Sequence, residues 1–194
     1  MQEEKELSVF KKMKGHWQTI NRHKKEVMKL CFKAGLYKQG LLHDLSKYSP
    51  DEFIPGVKYY QGYRSPNNAQ REMEGASTAW LHHKGRNKHH FEYWVDYPCK
   101  GLNDGRGKMV GMQMPKRYVV EMFCDRVAAG KIYNGDAYTD KHPLEYFEKG
   151  KDHYLMNPKT QRLLHHLLKM LAQKGEEETF SYIRKNILKN DKSR

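Results

Sequence analysis

Apolar residues recur at steps of three and four along most of this chain, and no segment shows the alternation typical of a β-strand. The clearest case runs from about residue 7 to residue 34, just before Gly35. A face of this period predicts an amphipathic helix, and glycine is common just past a helix C-terminus. The face comprises Ile20, His23, Val27, Leu30, Cys31 and Ala34.

Proline and glycine mark the ends of further helices. Ser49, Pro50 and Glu52 form a capping box with a proline at the first helical position, which predicts a helix that begins near Pro50. Gly130 predicts the end of a helix that starts at Pro115. Further helices are expected at about residues 69–83, 158–171 and 177–188. We therefore predict an all-α fold.

The chain is strongly basic. It carries 36 Lys and Arg against 23 Asp and Glu, a formal net charge of +13 in 194 residues. Such an excess attracts polyanions, so phosphate-bearing ligands are favoured as partners. The charges are spread over several helices and no DNA- or RNA-recognition motif is visible, so nucleic acid has no motif to support it as a partner.

Cysteine usage and hydropathy bear on location. No run of about 18 apolar residues occurs, so we expect no transmembrane helix and no membrane partner. The N-terminal segment is acidic and lacks the apolar stretch of a secretory signal. Cys31, Cys99 and Cys124 form no CxxC motif and do not resemble a disulfide framework. We expect a cytoplasmic protein.

Four ionisable residues stand where a helix face or a helix end should bury them. His23 and Asp125 each lie on an otherwise apolar face, and His43 directly precedes Asp44 at a predicted helix end. Taken singly, each has a structural alternative: a core hydrogen bond, a surface ion pair or a helix cap. Together they can converge on a metal ion. Imidazole and carboxylate ligands without a thiolate suit Mn, Fe, Ni, Co or Zn.

The order of these residues resembles the HD-domain superfamily of metal-dependent phosphohydrolases. Residues 43–47, HDLSK, are similar to the HD-x-x-K form of several branches. The resemblance covers about residues 16–130. It implies an HD-domain-like helical bundle of one domain over residues 1–194, with helices at about 155–190 packed on the metal-binding core. It also implies His23, His43, Asp44 and Asp125 as ligands of a divalent ion.

A His-rich segment from His82 to Trp94 is similar to a signature of a small bacterial and phage family within this superfamily, which also has an HDLSK-type motif. In two-metal members, histidines between the HD doublet and the final aspartate bind the second ion. We expect His83 and His90 in that role. His82 and His89 are near alternatives that otherwise support the ligands from behind, because neighbours on a helix point about 100° apart.

The same segment supplies further candidates. Gly85 is expected to let the chain reverse, so that both histidine pairs can reach one point. Glu92 is expected to hold a ligand imidazole through its other ring nitrogen. Arg86, Asn87 and Lys88 are expected to bind an anionic substrate.

The resemblance implies hydrolysis of a nucleotide or another small phosphate ester with one or two divalent ions. In this scheme Asp44 bridges two ions or orients the attacking water, and Lys47 binds a phosphate oxygen as a point charge. Two alternatives stay open: an HD-type di-iron oxygenase with the same ligands, and a basic helical nucleic-acid-binding protein without catalysis.

Overall fold

The structure of the protein is a computed structural model that describes residues 7–97 and 108–189. Within these ranges the chain is helical almost throughout, which confirms the all-α prediction. The helices are α1 (Val9–Ala34), α2 (Tyr37–Leu42), α3 (Pro50–Lys58), α4 (Pro66–Glu74), α5 (Thr78–Arg86), α6 (Lys116–Asn134), α7 (His142–Gly150) and α8 (Pro158–Tyr182). Short 3₁₀ segments lie at Leu45–Tyr48, Phe91–Trp94, Gly135–Ala137 and Lys151–His153, and α8 runs into a π-helical segment at Ile183–Leu188.

Helix α1 forms for the reasons visible in the sequence. The Ser8 hydroxyl accepts a hydrogen bond from the Lys11 backbone N–H at 3.4 Å, which caps the N-terminus. At the other end Gly35 follows the last turn in a left-handed conformation. The predicted apolar face is buried, apart from His23, which is partly exposed. Helix α1 therefore presents one continuous stripe to the rest of the fold.

The hydrophobic core joins the first helix to the last ones. Val27 and Leu30 of α1, Phe123 of α6, Phe147 of α7 and Leu167 of α8 belong to one buried cluster. All five are at most 1% exposed. The C-terminal helices thus share their apolar surface with the helices that carry the predicted metal ligands.

Two predictions about where helices end were wrong, and a glycine explains each difference. Gly130 does not end α6, which continues to Asn134. Gly130 instead lets another element come close, because a Cβ there would lie 3.1 Å from the Tyr138 ring. The helix predicted at residues 69–83 is two helices, α4 and α5, because Gly75 adopts a φ of 77° and breaks the chain.

A small hairpin and helix α7 had no clear sequence signal. Val95–Asp96 (β1) pairs with Val110–Gly111 (β2) in an antiparallel ladder of only two residues each. Two residues cannot show a period, so pattern analysis could not find these strands. Three glycines in residues 100–108 predict a loop, but most of this segment lies outside the described residues.

No helix in residues 7–97 or 108–189 is both long enough and apolar enough to cross a membrane.

His16 on α1 provides a test of this packing. Its ring is buried, lies 5.4 Å from the Phe53 ring and 6.0 Å from the Tyr60 ring, and belongs to none of the predicted metal-ligand sets. Burial, aided by the nearby charge of Lys47, lowers its pKa from 6.5 to about 4.

The unfolded chain takes up a proton at His16 near pH 6.5, and the folded chain only near pH 4. Stability from the neutral ring should therefore be complete above pH 6.5 and fall by up to about 3 kcal/mol as the pH drops toward 4. Urea unfolding at several pH values should show a shallower decline for His16→Gln. The control His153→Gln, at an exposed position, should keep the wild-type slope. Equal slopes in all three proteins would contradict the prediction.

Candidate metal centre

The HD doublet lies in a turn rather than on a helix. Helix α2 ends at Leu42, and Asp44 then adopts a left-handed conformation with φ 54° and ψ 29°. It is the only non-glycine residue with positive φ in the described ranges, and aspartate is one of the few residues that tolerate this region. The Lys24 ammonium braces the turn by donating hydrogen bonds to the carbonyl oxygens of Leu41 (2.9 Å) and His43 (2.8 Å).

Four predicted ligands converge in what we call group A: His23, His43, Asp44 and Asp125. One ligand atom from each lies within 4.8 Å of the other three. His23 Nε2 is 2.9 Å from Asp125 Oδ1, and His43 Nε2 is 3.3 Å from Asp44 Oδ2. His43 Nε2 is 3.7 Å from Asp125 Oδ1. The contact between α1 and α6 thus brings together residues far apart in the chain.

A second set, group B, comprises Asp44, His83, His89 and His90, again with one ligand atom from each within 4.8 Å. His83 Nε2 and His89 Nε2 lie 3.3 and 3.4 Å from Asp44 Oδ1. Asp44 therefore belongs to both groups, with Oδ2 near group A and Oδ1 near group B. Two donor sets that share one carboxylate are the arrangement of a two-ion site.

The second doublet differs from its prediction. We expected one histidine of each pair to reach the cluster, yet both His89 and His90 do so. That prediction assumed that the chain stays helical between the two histidine pairs, but α5 ends at Arg86 and residues 87–90 form a turn. The chain reverses after Gly85 rather than at it, because Gly85 still lies inside α5.

Two carboxylates that sequence analysis did not select hold the histidines from behind. Glu121 Oε1 lies 3.0 Å from His43 Nδ1 and 3.2 Å from His89 Nδ1. Glu52 Oε2 lies 2.7 Å from His83 Nδ1. A carboxylate on Nδ1 fixes the ring orientation and leaves Nε2 for a metal ion. Glu121, His43 and His89 also form a third set of converging donors.

Glu52, in the first turn of α3, does not have the capping role that the sequence predicts. The sequence predicts that Glu52 closes a capping box with Ser49, but no side-chain capping bond is present at this helix. The Glu52 carboxylate turns inward and contacts His82 Nδ1 and His83 Nδ1, both at 2.7 Å. Its spacing from Ser49 hid this role, since an acidic residue three positions after a serine is explained by capping alone.

The atoms at the centre lack the partners that buried polar atoms normally have. Nε2 of His23, His43, His89 and His90 and both carboxylate oxygens of Asp44 are buried without a hydrogen bond. Each such atom costs about 1–3 kcal/mol, so native proteins have few of them. A divalent cation would satisfy all of them at once, and this buried group of imidazoles and carboxylates could hold one.

The carboxylates of the centre are charged. Burial alone raises the pKa of Asp44, but His43 and Lys47 hold it well below its usual range. Burial likewise opposes ionisation of Asp125, while the nearby imidazoles of His23 and His43 keep its pKa well below the usual value. Burial lowers the pKa of His43, but the carboxylates of Asp44, Asp125 and Glu121 together raise it well above its usual value. Proton binding and metal binding therefore compete at His43.

Two imidazoles of the centre are neutral, as metal ligation requires. Burial, together with the charges of His89 and His83, holds the pKa of His90 well below its usual value. Burial and the charge of Lys47 lower the pKa of His23. One member of group A and one of group B thus each have one ring nitrogen without a proton at neutral pH.

Lys47 lies beside the centre, with Nζ 2.6 Å from Asp44 Oδ2. Arg86 and Lys88, predicted to bind substrate, are exposed and make other contacts. Arg86 donates to the His82 carbonyl oxygen at 3.5 Å, and Lys88 Nζ lies 5.9 Å from the centroid of the Tyr93 ring.

The remaining candidates of the His-rich segment are Asn87, His82 and Glu92. Asn87 and His82 contact other parts of the fold, whereas Glu92 has an oxygen without a hydrogen bond. Asn87 Nδ2 donates to Ser46 Oγ and to the His83 carbonyl oxygen, both at 2.8 Å, so it joins the HD turn to α5. His82 Nε2 lies 3.2 Å from Asp51 at the rim. Glu92 Oε2 is buried without a hydrogen bond, and burial raises the pKa of Glu92. The support predicted from Glu92 is provided by Glu52 and Glu121 instead.

The fold and this centre define an all-α protein with a buried His/Asp/Glu cluster that could bind metal. Residues 12–170 match the model of a family of unknown function, DUF5662, and the chain belongs to that family. The match includes every residue of groups A and B. No curated protein and no solved structure matches the chain.

Glu121 offers a test of the centre that leaves every member of groups A and B in place. Glu121→Gln keeps the shape but removes the negative charge from Nδ1 of His43 and His89. We expect metal affinity to fall by about 10- to 100-fold, the usual effect of losing such a partner. Titration of chelator-treated protein with Zn²⁺ or Mn²⁺ would measure it. Glu145→Gln, exposed on α7, is the matched control. Equal affinities in the two variants would contradict the orienting role.

A variant of Lys24 tests whether this residue stabilises the turn that contains His43 and Asp44. Lys24→Met keeps the aliphatic stem but removes the donor to two carbonyl oxygens. We expect the unfolding free energy to fall by about 1–3 kcal/mol, the range for hydrogen bonds from a charged group. Metal affinity should weaken as well, because Asp44 is less firmly held. Urea unfolding of chelator-treated protein measures the first effect. The control Lys38→Met, exposed on α2, should leave both properties unchanged. A Lys24 variant as stable as this control would rule the brace out.

Proposed function

We propose that this protein is a metal-dependent phosphohydrolase that binds one ion at group A and a second at group B, with Asp44 as the shared ligand. The observation that carries the proposal is the position of the Asp44 carboxylate. Oδ2 lies 3.3 Å from His43 Nε2 of group A, and Oδ1 lies 3.3 and 3.4 Å from Nε2 of His83 and His89 of group B. The order of the residues, and the HDLSK string, resemble the HD-domain superfamily, whose two-ion members hydrolyse phosphate esters.

The donor atoms narrow the choice of metal. Groups A and B offer only imidazole nitrogens and carboxylate oxygens, which suit Mn, Fe, Ni, Co or Zn. When bound, such an ion lowers the pKa of a coordinated water and screens the charge of a phosphoryl group. Nε2 of His23, His43, His89 and His90 and both Asp44 oxygens are among the atoms left buried without hydrogen bonds, so these residues fit a metal ion.

Lys47 is the residue that we expect to bind the substrate phosphate. Burial lowers its pKa, but Asp44 and Asp125 raise it by more, so the ammonium stays charged at neutral pH. Its side chain is 29% exposed, whereas Asp44 is 2% exposed. Lys47 therefore reaches from the buried carboxylate to solvent and can contact a phosphate oxygen as a point charge.

Substrate is expected to enter from the group A side. His23 and Asp125 are 12% and 18% exposed, whereas His83 and His89 are 3% and 2% exposed. A phosphate at the centre would meet Lys47 and the open edge of group A, while the His83 and His89 imidazoles of group B are buried. The substrate class is a nucleotide or another small phosphate ester. A cytoplasmic location fits the free thiols of Cys31 and Cys124.

Elemental analysis of the purified protein, followed by a panel of phosphate esters assayed with the metal found, tests the proposal. We expect up to two equivalents of a transition metal and release of inorganic phosphate. Iron together with substrate-dependent oxygen consumption would indicate the oxygenase alternative. Salt-sensitive binding of DNA or RNA by a protein without metal would indicate the nucleic-acid alternative.

Two aspartate variants sharpen this test. Asp44→Asn keeps the side-chain shape and suits the left-handed turn, since asparagine also tolerates it. It removes the carboxylate that both groups share, so both metal equivalents should be lost and phosphatase activity should fall by about 100-fold or more. Asp125→Asn affects group A alone and should lose one equivalent.

The control is Asp136→Asn, at an exposed position between α6 and α7. It should keep the full metal content and activity. Circular dichroism should show the helical signal in all three variants. Retention of both equivalents by the Asp44 variant would refute the shared ligand.

A further inference from the structure

A cleft of about 290 Å³ lies outside groups A and B, between α1 and α6. We call it the basic cleft. Its walls are Arg22, Lys25, Glu26, Lys29, Lys131 and Ile132. The residues from α1 recur at steps of three and four, so they share one face of that helix. The face extends over about 10 Å from Arg22 to Lys29.

Positive charge exceeds negative charge in the basic cleft. Glu26 is its one acidic wall residue, and it is already paired with Lys29 and Lys131, each at 3.3 Å. Lys131 also contacts Glu176 of α8. Arg22 and Lys25 have no acidic partner among residues 7–97 and 108–189. Two cations in one concave surface are therefore left for an anion from solution.

The basic cleft adjoins the open edge of the metal centre. His23 and Asp125 meet across the contact between α1 and α6 at 2.9 Å, and Glu26 and Lys131 meet across the same contact at 3.3 Å. Glu26 follows His23 by one helical turn, about 4.5 Å along α1. The contact between two group A residues and the contact between two walls of the basic cleft are thus neighbours along the same pair of helices.

We propose that the basic cleft binds a second phosphate group of the substrate. This inference rests on the proposed function, because it places the first phosphate at groups A and B. It narrows the substrate to a small molecule with linked phosphates, such as a nucleoside di- or triphosphate. Arg22 presents a planar guanidinium that suits a phosphate in two hydrogen bonds, and Lys25 adds a point charge.

The test removes the positive charge of the cleft without touching groups A or B. The variant Arg22→Gln/Lys25→Gln/Lys29→Gln keeps good helix-forming residues on α1. The matched control is Lys159→Gln/Arg162→Gln/Lys169→Gln, which removes the same charge from exposed positions of α8. The comparison separates the cleft from the general effect of net charge.

Binding is measured first, by calorimetric titration of chelator-treated protein with inorganic tripolyphosphate. We expect the cleft variant to bind at least about tenfold more weakly than wild type, and the control to bind within about twofold. This result depends on the cleft alone, so it tests the inference even if no esterase activity is found. Equal weakening in both variants would overturn it, since the effect would then belong to net charge.

Turnover is measured second, with the metal-loaded protein. The ratio of kcat/KM for a nucleoside diphosphate to kcat/KM for p-nitrophenyl phosphate should fall at least about tenfold in the cleft variant alone. An unchanged ratio would overturn the proposal. So would weakened binding of a single-stranded oligonucleotide with tripolyphosphate binding intact, because the cleft would then be a nucleic-acid surface.

Discussion

Asp44 is a buried carboxylate in a left-handed turn, and the rest of the centre is arranged around it. Its backbone conformation carries strain that few residues tolerate. The turn projects the carboxylate away from α2 and into the space between α1, α5 and α6. Imidazole nitrogens then approach each oxygen from a different side. A residue on a regular helix would present its carboxylate to one face only, so the break in the helix places the Asp44 carboxylate between groups A and B.

The histidines depend in turn on carboxylates that do not face the centre. Glu121 contacts two of them and Glu52 contacts another through Nδ1. Helix α6 carries both Glu121 and Asp125, four residues apart and thus on one face. One helix therefore supplies a candidate ligand of group A and orients a histidine of each group. Much of the rest of α6 lies in the hydrophobic core, including Val120 and Phe123, so the packing of apolar side chains sets the geometry of the polar ones.

The sequence predicted the parts of the fold that obey a local period. The apolar face of α1 and the leucine-rich helix α8 were found from this period, whereas the helix after Pro50 was found from the residues at its start. Local rules failed where tertiary contacts decided the outcome. Gly130 satisfies the rule for a helix end but serves a close contact with Tyr138. Glu52 satisfies the rule for a capping box but turns to the histidines.

The candidate site, like the fold, was predicted only in part from the sequence. The order of His23, His43, Asp44 and Asp125 resembles a known pattern, and the structure brings their ligand atoms together. The choice among neighbouring histidines needed the path of the chain after Arg86, which spacing does not reveal. Glu121 had no sequence signal, because an acidic residue in a helix is most simply explained by exposure to solvent. Only the contact between α6 and the HD turn distinguishes it.

Group A joins α1, the HD turn and α6, which are distant in the sequence. An ion held there acts as a cross-link, because ligands that exist as a set only in the folded chain convert binding energy into folding energy. A disulfide acts differently, because it restricts the unfolded chain, whereas such an ion would stabilise the folded chain alone. Cys31 and Cys124 lie on the same two helices as free thiols. A metal ion bound at group A would thus join α1 to α6 through imidazole and carboxylate groups, without the oxidation that a disulfide requires.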